Sequence, residues 1–246
     1  MNLQRNFAVI VPMANEERDF EPFVAEVGRV LDVMGSGMVY HIINTASRDR
    51  TLELSRELSL RDPRFITVFA PENRHLPDAY ISGLRAAYNA GHEYIIEMDA
   101  GLSHDPKQLS DFIKALEGGY SCVFGSRIIQ GGTIKNSSIN RRLLSQVGTI
   151  LSNVLLGTKL YDMTSGYQGF HRDIVAKVIE YDLKSTAHFY QTEVRYLLRN
   201  ANWLEIPIQY QSPSPRVSRK AIQNAYESLL YYFLCRIAGN EKEITR

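Results

Sequence analysis

The chain has 246 residues, a net charge of +1, and 44% hydrophobic and 10% aromatic side chains. That is an ordinary folded composition, enough for one large α/β domain or two small ones. The even acid–base balance argues against nucleic-acid binding by bulk charge, and no run reaches the roughly 18 apolar residues of a spanning helix.

The apolar stretch in MNLQRNFAVIVPM is too short for a signal peptide. Residues 7–12, FAVIVP, form a continuous apolar run, as in a strand buried on both faces. Phe20, Phe23, Val24, Val27 and Leu31 recur at helical spacing until Gly35-Ser36-Gly37 breaks the pattern. Residues 38–44 read as a strand, 51–60 as a helix, 65–69 as a strand, 77–90 as a helix and 94–98 as a strand. Asp105-Pro106 opens another helix, with Asp as N-cap, Pro at the first position, and Leu109, Phe112, Ile113 and Leu116 facing inward. Residues 121–125 make a fifth strand. Such alternation predicts an α/β fold with a mainly parallel sheet and helices on both faces.

The second half is less regular. Residues 128–138 are a Gly/Ser/Asn-rich loop, and 140–156 a helix with Leu143, Leu144, Val147, Leu151, Val154 and Leu155 on one broad apolar face. Helices follow over 172–181 and 191–200. Residues 203–210 read as a strand whose Pro207 suits a sheet edge. A Pro/Ser loop over 211–219 has Arg216, Arg219 and Lys220 in or beside it, and a Tyr-, Leu- and Phe-rich helix over 226–237 ends the pattern. Cys122 lies in a strand-like run and reads as a buried free thiol. With Cys235 far away in sequence, the pair fits a reducing compartment.

Ligands of open parallel sheets bind at the carboxyl ends of the strands. Polar residues collect there: Pro12 to Glu17 after the first strand, Asn44 to Asp49 after the second, Glu72-Asn73-Arg74 after the third, Asp99 after the fourth, and Gly125-Ser126-Arg127 after the fifth. Any one of these is an ordinary solvated turn; five on one edge make a site.

These stretches carry a resemblance. VPMANEE, IINTASRDRT, EMDAGLSHDP, FGSRIIQGG and DMTSGYQGFHRD resemble, in order and spacing, the motifs of the inverting GT-A glycosyltransferases, in the large family that includes dolichol-phosphate mannose synthase. The match runs roughly from Phe7 to Lys220. It implies a GT-A fold, with residues 1–210 as the catalytic domain. Residues 211–246 would form a basic loop and an amphipathic helix, packed on the domain or at a membrane or subunit surface.

The resemblance places Pro12, Asn15, Glu16, Asn44, Arg74 and Asp99 on the donor nucleotide. Asp99 matches the first acid of the family's DxD, whose two acids hold Mg²⁺ or Mn²⁺ against the donor diphosphate. Gly101 stands where the second acid belongs, so the ion is held weakly or not at all, with Ser103 as a further oxygen and Arg74 and His104 as substitute cations. Thr45 replaces another family acid, and His75 to Asp78 replace a glycine-rich stretch. Asp49 reads better as a helix N-cap than as a ligand. On the acceptor side Arg127, Arg141, Ser145, Arg216 and Lys220 match the phosphate-binding positions. Arg141 and Ser145 are one helical turn apart, and Arg suits phosphate because its planar donors take two oxygens at once. Glu193 matches a carboxylate near the sugar and, with Asp99, is a candidate catalytic residue. Asp162 and Ser165 would shape the loop beneath the acceptor. The apolar face of the helix over 140–156 is either core or the surface that meets the membrane, as the resemblance implies.

The leading expectation is therefore sugar transfer from a nucleotide-diphosphate sugar to a polyprenyl phosphate or related membrane acceptor. Two alternatives stand beside it: transfer to a glycan hydroxyl, with Glu193 as base, and a silent GT-A domain that only binds. The location implied is cytoplasmic or peripheral on the cytoplasmic face of a membrane, with no nucleic-acid partner and the oligomeric state open.

Overall fold

The computed structural model describes residues 6–211 and 218–244, with the side chains of Asn140 and Arg141 excepted. Its elements in chain order are β1 (Phe7–Met13), α1 (Phe20–Met34), β2 (Met38–Ile43), α2 (Thr51–Arg61), β3 (Phe65–Phe69), α3 (Leu76–Asn89), β4 (Tyr94–Glu97), α4 (Leu109–Glu117), β5 (Cys122–Ser126), β6 (Thr133–Lys135), α5 (Ile139–Leu156), β7 (Gln168–His171), α6 (Arg172–Val178), α7 (Tyr190–Leu197), β8 (Trp203–Pro207), β9 (Gln209–Gln211) and α8 (Arg219–Ile237). The first five strands fall within a residue or two of their expected bounds.

The main sheet has the order β3-β2-β1-β4-β7-β5-β8, and β6 pairs with β9 in a small second sheet. Side chains alternate across each strand. Phe7, Val9 and Val11 of β1 therefore pack under α1 and α4, while Ala8 and Ile10 pack against α3 on the other face, in one core with residues of α6, α7 and α8. The mainly parallel sheet, covered on both faces, is as expected.

Two strands went unread, the short β6 inside the expected loop over 128–138 and the central β7, and the strand expected over 203–210 divides into β8 and β9. The stretch QGFH of β7 lies mid-sheet, antiparallel to both β4 and β5. Four residues are too few to show a period, and Gly169 replaces an apolar residue because Phe112, Ile96 and Leu116 close over it: an added Cβ would meet them at 3.2 to 3.4 Å. Two antiparallel pairings in succession cancel, so β5 points the same way as β1 to β4. The loop after β5 and the loop entering β7 thus reach the same sheet edge as the loops after β1 to β4. That crossover puts the two halves of the sequence on one site.

α5 and α8 pack against each other outside this sheet. The buried side of α5 is Thr149, Ser152 and Leu156, and its apolar stripe faces out: Ile139, Leu143, Leu144, Val147, Ile150, Leu151 and Val154 are all exposed. α8 begins seven residues before its apolar pattern does. Ser218 caps it, its Oγ accepting from Ala221 N at 3.1 Å, so Arg219 and Lys220 lie in its first turn and not in a loop. Ile222, Tyr226, Leu230, Leu234 and Ile237 of α8 are exposed as well. Among the described residues no helix is long and apolar enough to cross a membrane.

Candidate active site

The loops after β1 and β2 are tied together by side chains that replace backbone partners. Asn15, at φ 60, accepts from Arg48 N at 2.9 Å and donates its own N–H to Ser47 Oγ at 3.1 Å. Glu16 N donates to Thr51 Oγ1 at 2.8 Å. Asp49 accepts from Glu17 N, Thr51 N, Thr51 Oγ1 and Ser47 Oγ. Desolvation works to raise its pKa, but these hydrogen bonds outweigh it and hold the carboxyl down at about 2. Asn44 donates to Asn73 O at 2.9 Å and accepts from Ala46 N at 3.0 Å, so it ties the loops after β2 and β3. An aspartate there would have no proton for Asn73. Pro12 is half-buried beside Ile42. Arg74 is exposed, and its backbone N–H joins that of His75 on the Asp78 carboxylate at the start of α3.

Two carboxylates face this edge with no protein cation paired to them among the described residues. Glu16 is half-buried; burial and then the charges of Asp19, Asp49 and Asp99 raise its pKa. A Cβ built on Gly101, which sits at φ +69, would lie 3.3 Å from Glu16 Oε2, so the Glu16 carboxylate stands beside the place of the missing second acid. Asp99 keeps 38% side-chain exposure and accepts from Tyr80 Oη at 3.0 Å. Behind it Glu97 is fully buried, accepting from Tyr190 Oη at 2.6 Å and Gln168 Nε2 at 2.8 Å. Burial pushes its pKa up to about 7, against those two hydrogen bonds.

The acceptor side is built on a buried ion pair. Arg127, at the end of β5, holds Asp162 through Nε at 2.7 Å and Nη2 at 2.8 Å, and its backbone N–H donates to the same carboxylate at 3.0 Å. Nη2 also donates to Thr164 Oγ1 at 2.6 Å and Ser145 Oγ at 3.0 Å, and those two hydroxyls are 2.6 Å apart. Burial would raise the pKa of Asp162, but Arg127 and Arg195 hold it well below the usual carboxylate range. Arg195, wholly buried, donates to the carbonyls of Asp162, Ser165 and Gly125 and so fixes the loop over residues 162–167 against β5. Burial lowers its pKa to about 10, opposed by Asp162 and Glu205.

Of the expected site residues, Asn15, Glu16, Asn44 and Asp99 gather on the donor loops, and Arg127 and Ser145 on the acceptor side. Two expectations need correction. Glu193 does not face the site: its carboxylate, with no exposed surface, accepts from Lys184 N, Ser185 N at 2.9 Å and Tyr232 Oη, and so fastens α8 and the loop before α7. His104 is not a substitute cation. It is wholly buried, and burial lowers its pKa, so it is neutral near pH 7. Lys220 is exposed in the first turn of α8. Arg216 and the Arg141 side chain lie outside the described residues. Asp105 caps as expected, accepting from Lys107 N at 3.0 Å. Tyr80, Gln191, Thr164 and Arg195 were missed. Thr164 lay inside the motif DMTSGYQGFHRD and could have been taken from it; nothing in the sequence marks Arg195.

Glucosyl-3-phosphoglycerate synthase from Mycobacterium tuberculosis, solved in complex with Mn²⁺, uridine diphosphate and glucosyl-3-phosphoglycerate, superposes with a TM-score of 0.68 at 12% identity, covering 96% of this chain and 80% of that one. The architecture is GT-A, a Rossmann-like sheet with its site at the strand ends. Residues 8–179 match the family described as Glycosyl transferase family 2, and the chain belongs to that family: it is a glycosyltransferase. It is similar to the polyprenol monophosphomannose synthase of Mycolicibacterium smegmatis, 30% identical over 224 residues, spanning 90% of this chain and 83% of that one. It is also similar to the undecaprenyl-phosphate mannosyltransferase of Micrococcus luteus, 27% identical and covering 82% of each chain.

Among the described residues no group of three or more His, Cys, Asp or Glu side chains is arranged to hold a metal ion. Asp99, with the Glu16 carboxylate near Gly101, does fit an ion that takes its remaining ligands from diphosphate and water, as Mg²⁺ commonly does.

Proposed function

We propose that the chain transfers a sugar, with inversion, from a nucleoside-diphosphate sugar to the phosphate of a polyprenyl phosphate resting at a membrane surface. One observation carries this: the Arg127 cluster reaches Ser145 on α5, whose apolar stripe is exposed, as are Ile222, Tyr226, Leu230, Leu234 and Ile237 of α8, the helix packed against it. Arg127 Nη1 has no protein partner among the described residues and is the group offered to the acceptor phosphate. The apolar faces suit a bilayer surface, and α5 carries arginines and no acids. Both similar mannosyltransferases named above support this acceptor class. Asp99, with Glu16, would hold a divalent ion, which would offset charge on the departing diphosphate. The chain's own residues set the geometry: Arg127 holds the acceptor oxygen, and the loops after β1, β2 and β3 hold the nucleotide, so that attack is in line. An ionised phosphate needs no general base, which agrees with Glu193 being occupied elsewhere. Transfer to a glycan hydroxyl loses its candidate base by the same fact.

The test is transfer of radiolabel from UDP-, GDP-, CDP- and dTDP-sugars to a polyprenyl phosphate in detergent. One donor labels the lipid, its α-linkage becomes β in the product, and Glu193→Gln keeps turnover. No labelled lipid with any donor, alongside label on a glycan, would sink the proposal.

A further inference from the structure

Asp99 is gripped from several sides. Tyr80 Oη donates to its Oδ1 at 3.0 Å. Tyr80 is itself held flat, stacked on Tyr190 at 5.0 Å between centroids and 6° between planes. On the other side the backbone N–H of Asp99 donates to His104 Nδ1 at 3.1 Å. That bond needs a lone pair on Nδ1, so the neutral ring carries its proton on Nε2. Nε2 is buried with no hydrogen-bond partner among the described residues, and Asp99 Oδ2 stands 3.8 Å from it. Stacking on Tyr167 at 4.7 Å, with Tyr210 at 5.3 Å, keeps the ring from turning toward another acceptor. Gly166 closes a third side: a Cβ there would sit 3.2 Å from Asp99 Oδ1 and 3.5 Å from Gln191 Nε2.

We propose that Tyr80 and His104 are the positioning residues of Asp99, one for each carboxylate oxygen, and that they fix the one DxD acid this chain keeps against the cation-bound diphosphate of the donor. The inference rests on the donor-site reading above. A buried N–H without an acceptor is unfavourable in the free protein. A small movement of the carboxylate when the ligand binds satisfies Nε2–H and completes the grip. Where two acids share the work, the ion itself aligns them. With Gly101 in place of the second DxD acid and Glu16 reaching in from a separate loop, Asp99 has to be aligned by the protein.

The experiment is calorimetric titration of the full chain with Mn²⁺ and whichever of UDP, GDP, CDP or dTDP binds it most tightly. Tyr80→Phe removes the donor to Oδ1. His104→Asn keeps an oxygen where Nδ1 lies and removes the far N–H; His104→Gln returns an amide nitrogen near Nε2. Tyr80→Phe and His104→Asn should each weaken binding about tenfold, with His104→Gln in between. In an Asp99→Asn background neither should weaken it further, because both act through Asp99. Ligand-free unfolding is followed throughout; if His104→Asn does not fold, Tyr80→Phe and His104→Gln complete the cycle. Equal weakening with and without the Asp99 carboxylate, or no weakening at all, overturns the inference alone. Wild-type affinity in Asp99→Asn, or a wild type that binds none of the four nucleotides, overturns the donor-site reading and the inference with it.

Discussion

The two sides of the site are built on opposite electrostatic plans. On the donor side, Glu16 and Asp99 face the strand ends with like charge and no protein cation paired to them among the described residues, and the loops are pinned by exposed or half-buried groups such as Asn15, Asn44, Ser47 and Asp49. On the acceptor side, charge is buried and answered: Asp162 by Arg127, and the carbonyls of its loop by Arg195. On the function proposed above, a cation from outside completes the donor side. The acceptor side carries its own cation, already hydrogen-bonded to Asp162, Thr164 and Ser145.

The largest expected effect tests that contrast directly. Arg127 and Asp162 keep only 8% and 0% of their side-chain surface, so Arg127→Ala leaves a buried carboxylate unanswered and should cost about 3–5 kcal/mol. Asp99→Asn, on the exposed and like-charged side, should change stability by less than about 1 kcal/mol. Urea midpoints at neutral pH compare the two. Equal costs would break the distinction.

The next effect is a pH dependence centred on Glu97, between the two sides. Its pKa rises from 4.5 unfolded to about 7 folded because it is buried. Between those values the folded state binds more protons than the unfolded one, so stability falls as pH rises from 4.5 through 7. The loss is on the order of 3 kcal/mol in full, and Glu97→Gln should remove that slope. Unfolding of both proteins at pH 5 and pH 8 measures it; parallel changes in the two would mean that Glu97 does not hold its proton.

Most of the donor side was legible in the sequence, and less of the acceptor side. Continuous apolar runs separated by helical periods gave β1 to β5, and polar residues at the ends of those runs gave Glu16, Asn44 and Asp99. β7 was lost because QGFH is short and its glycine is dictated by side chains from β4 and α4. Glu193 was misplaced because a motif match gives a residue's type and position but not which way its carboxylate turns; Tyr232, 39 residues on, decides that. Arg195 was invisible for a related reason, since its partners are carbonyls, which no residue type announces. The stripe on α5 was read as apolar, but periodicity alone does not distinguish a core face from an exposed one. That answer came from the polar residues Thr149 and Ser152, which turn inward.

The smallest effect sharpens the claim that the donor side is incomplete. Gly101→Asp restores the acid at the second DxD position, but Gly101 sits at φ +69 and its Cβ would lie 3.3 Å from Glu16 Oε2. A side chain in the left-handed region, set against a like charge, should cost about 1 kcal/mol in EDTA, a fall of roughly 2–4 °C in Tm for a chain of this size. Gly101→Ala should pay the same backbone strain without the charge. Mn²⁺ separates the two: it should return Gly101→Asp to the wild-type Tm, since the added carboxylate meets the ion beside Asp99 and Glu16, and leave Gly101→Ala where it was. If Mn²⁺ moves neither, a missing carboxylate is not what the donor side lacks, and the cation that completes it has to arrive with the nucleotide.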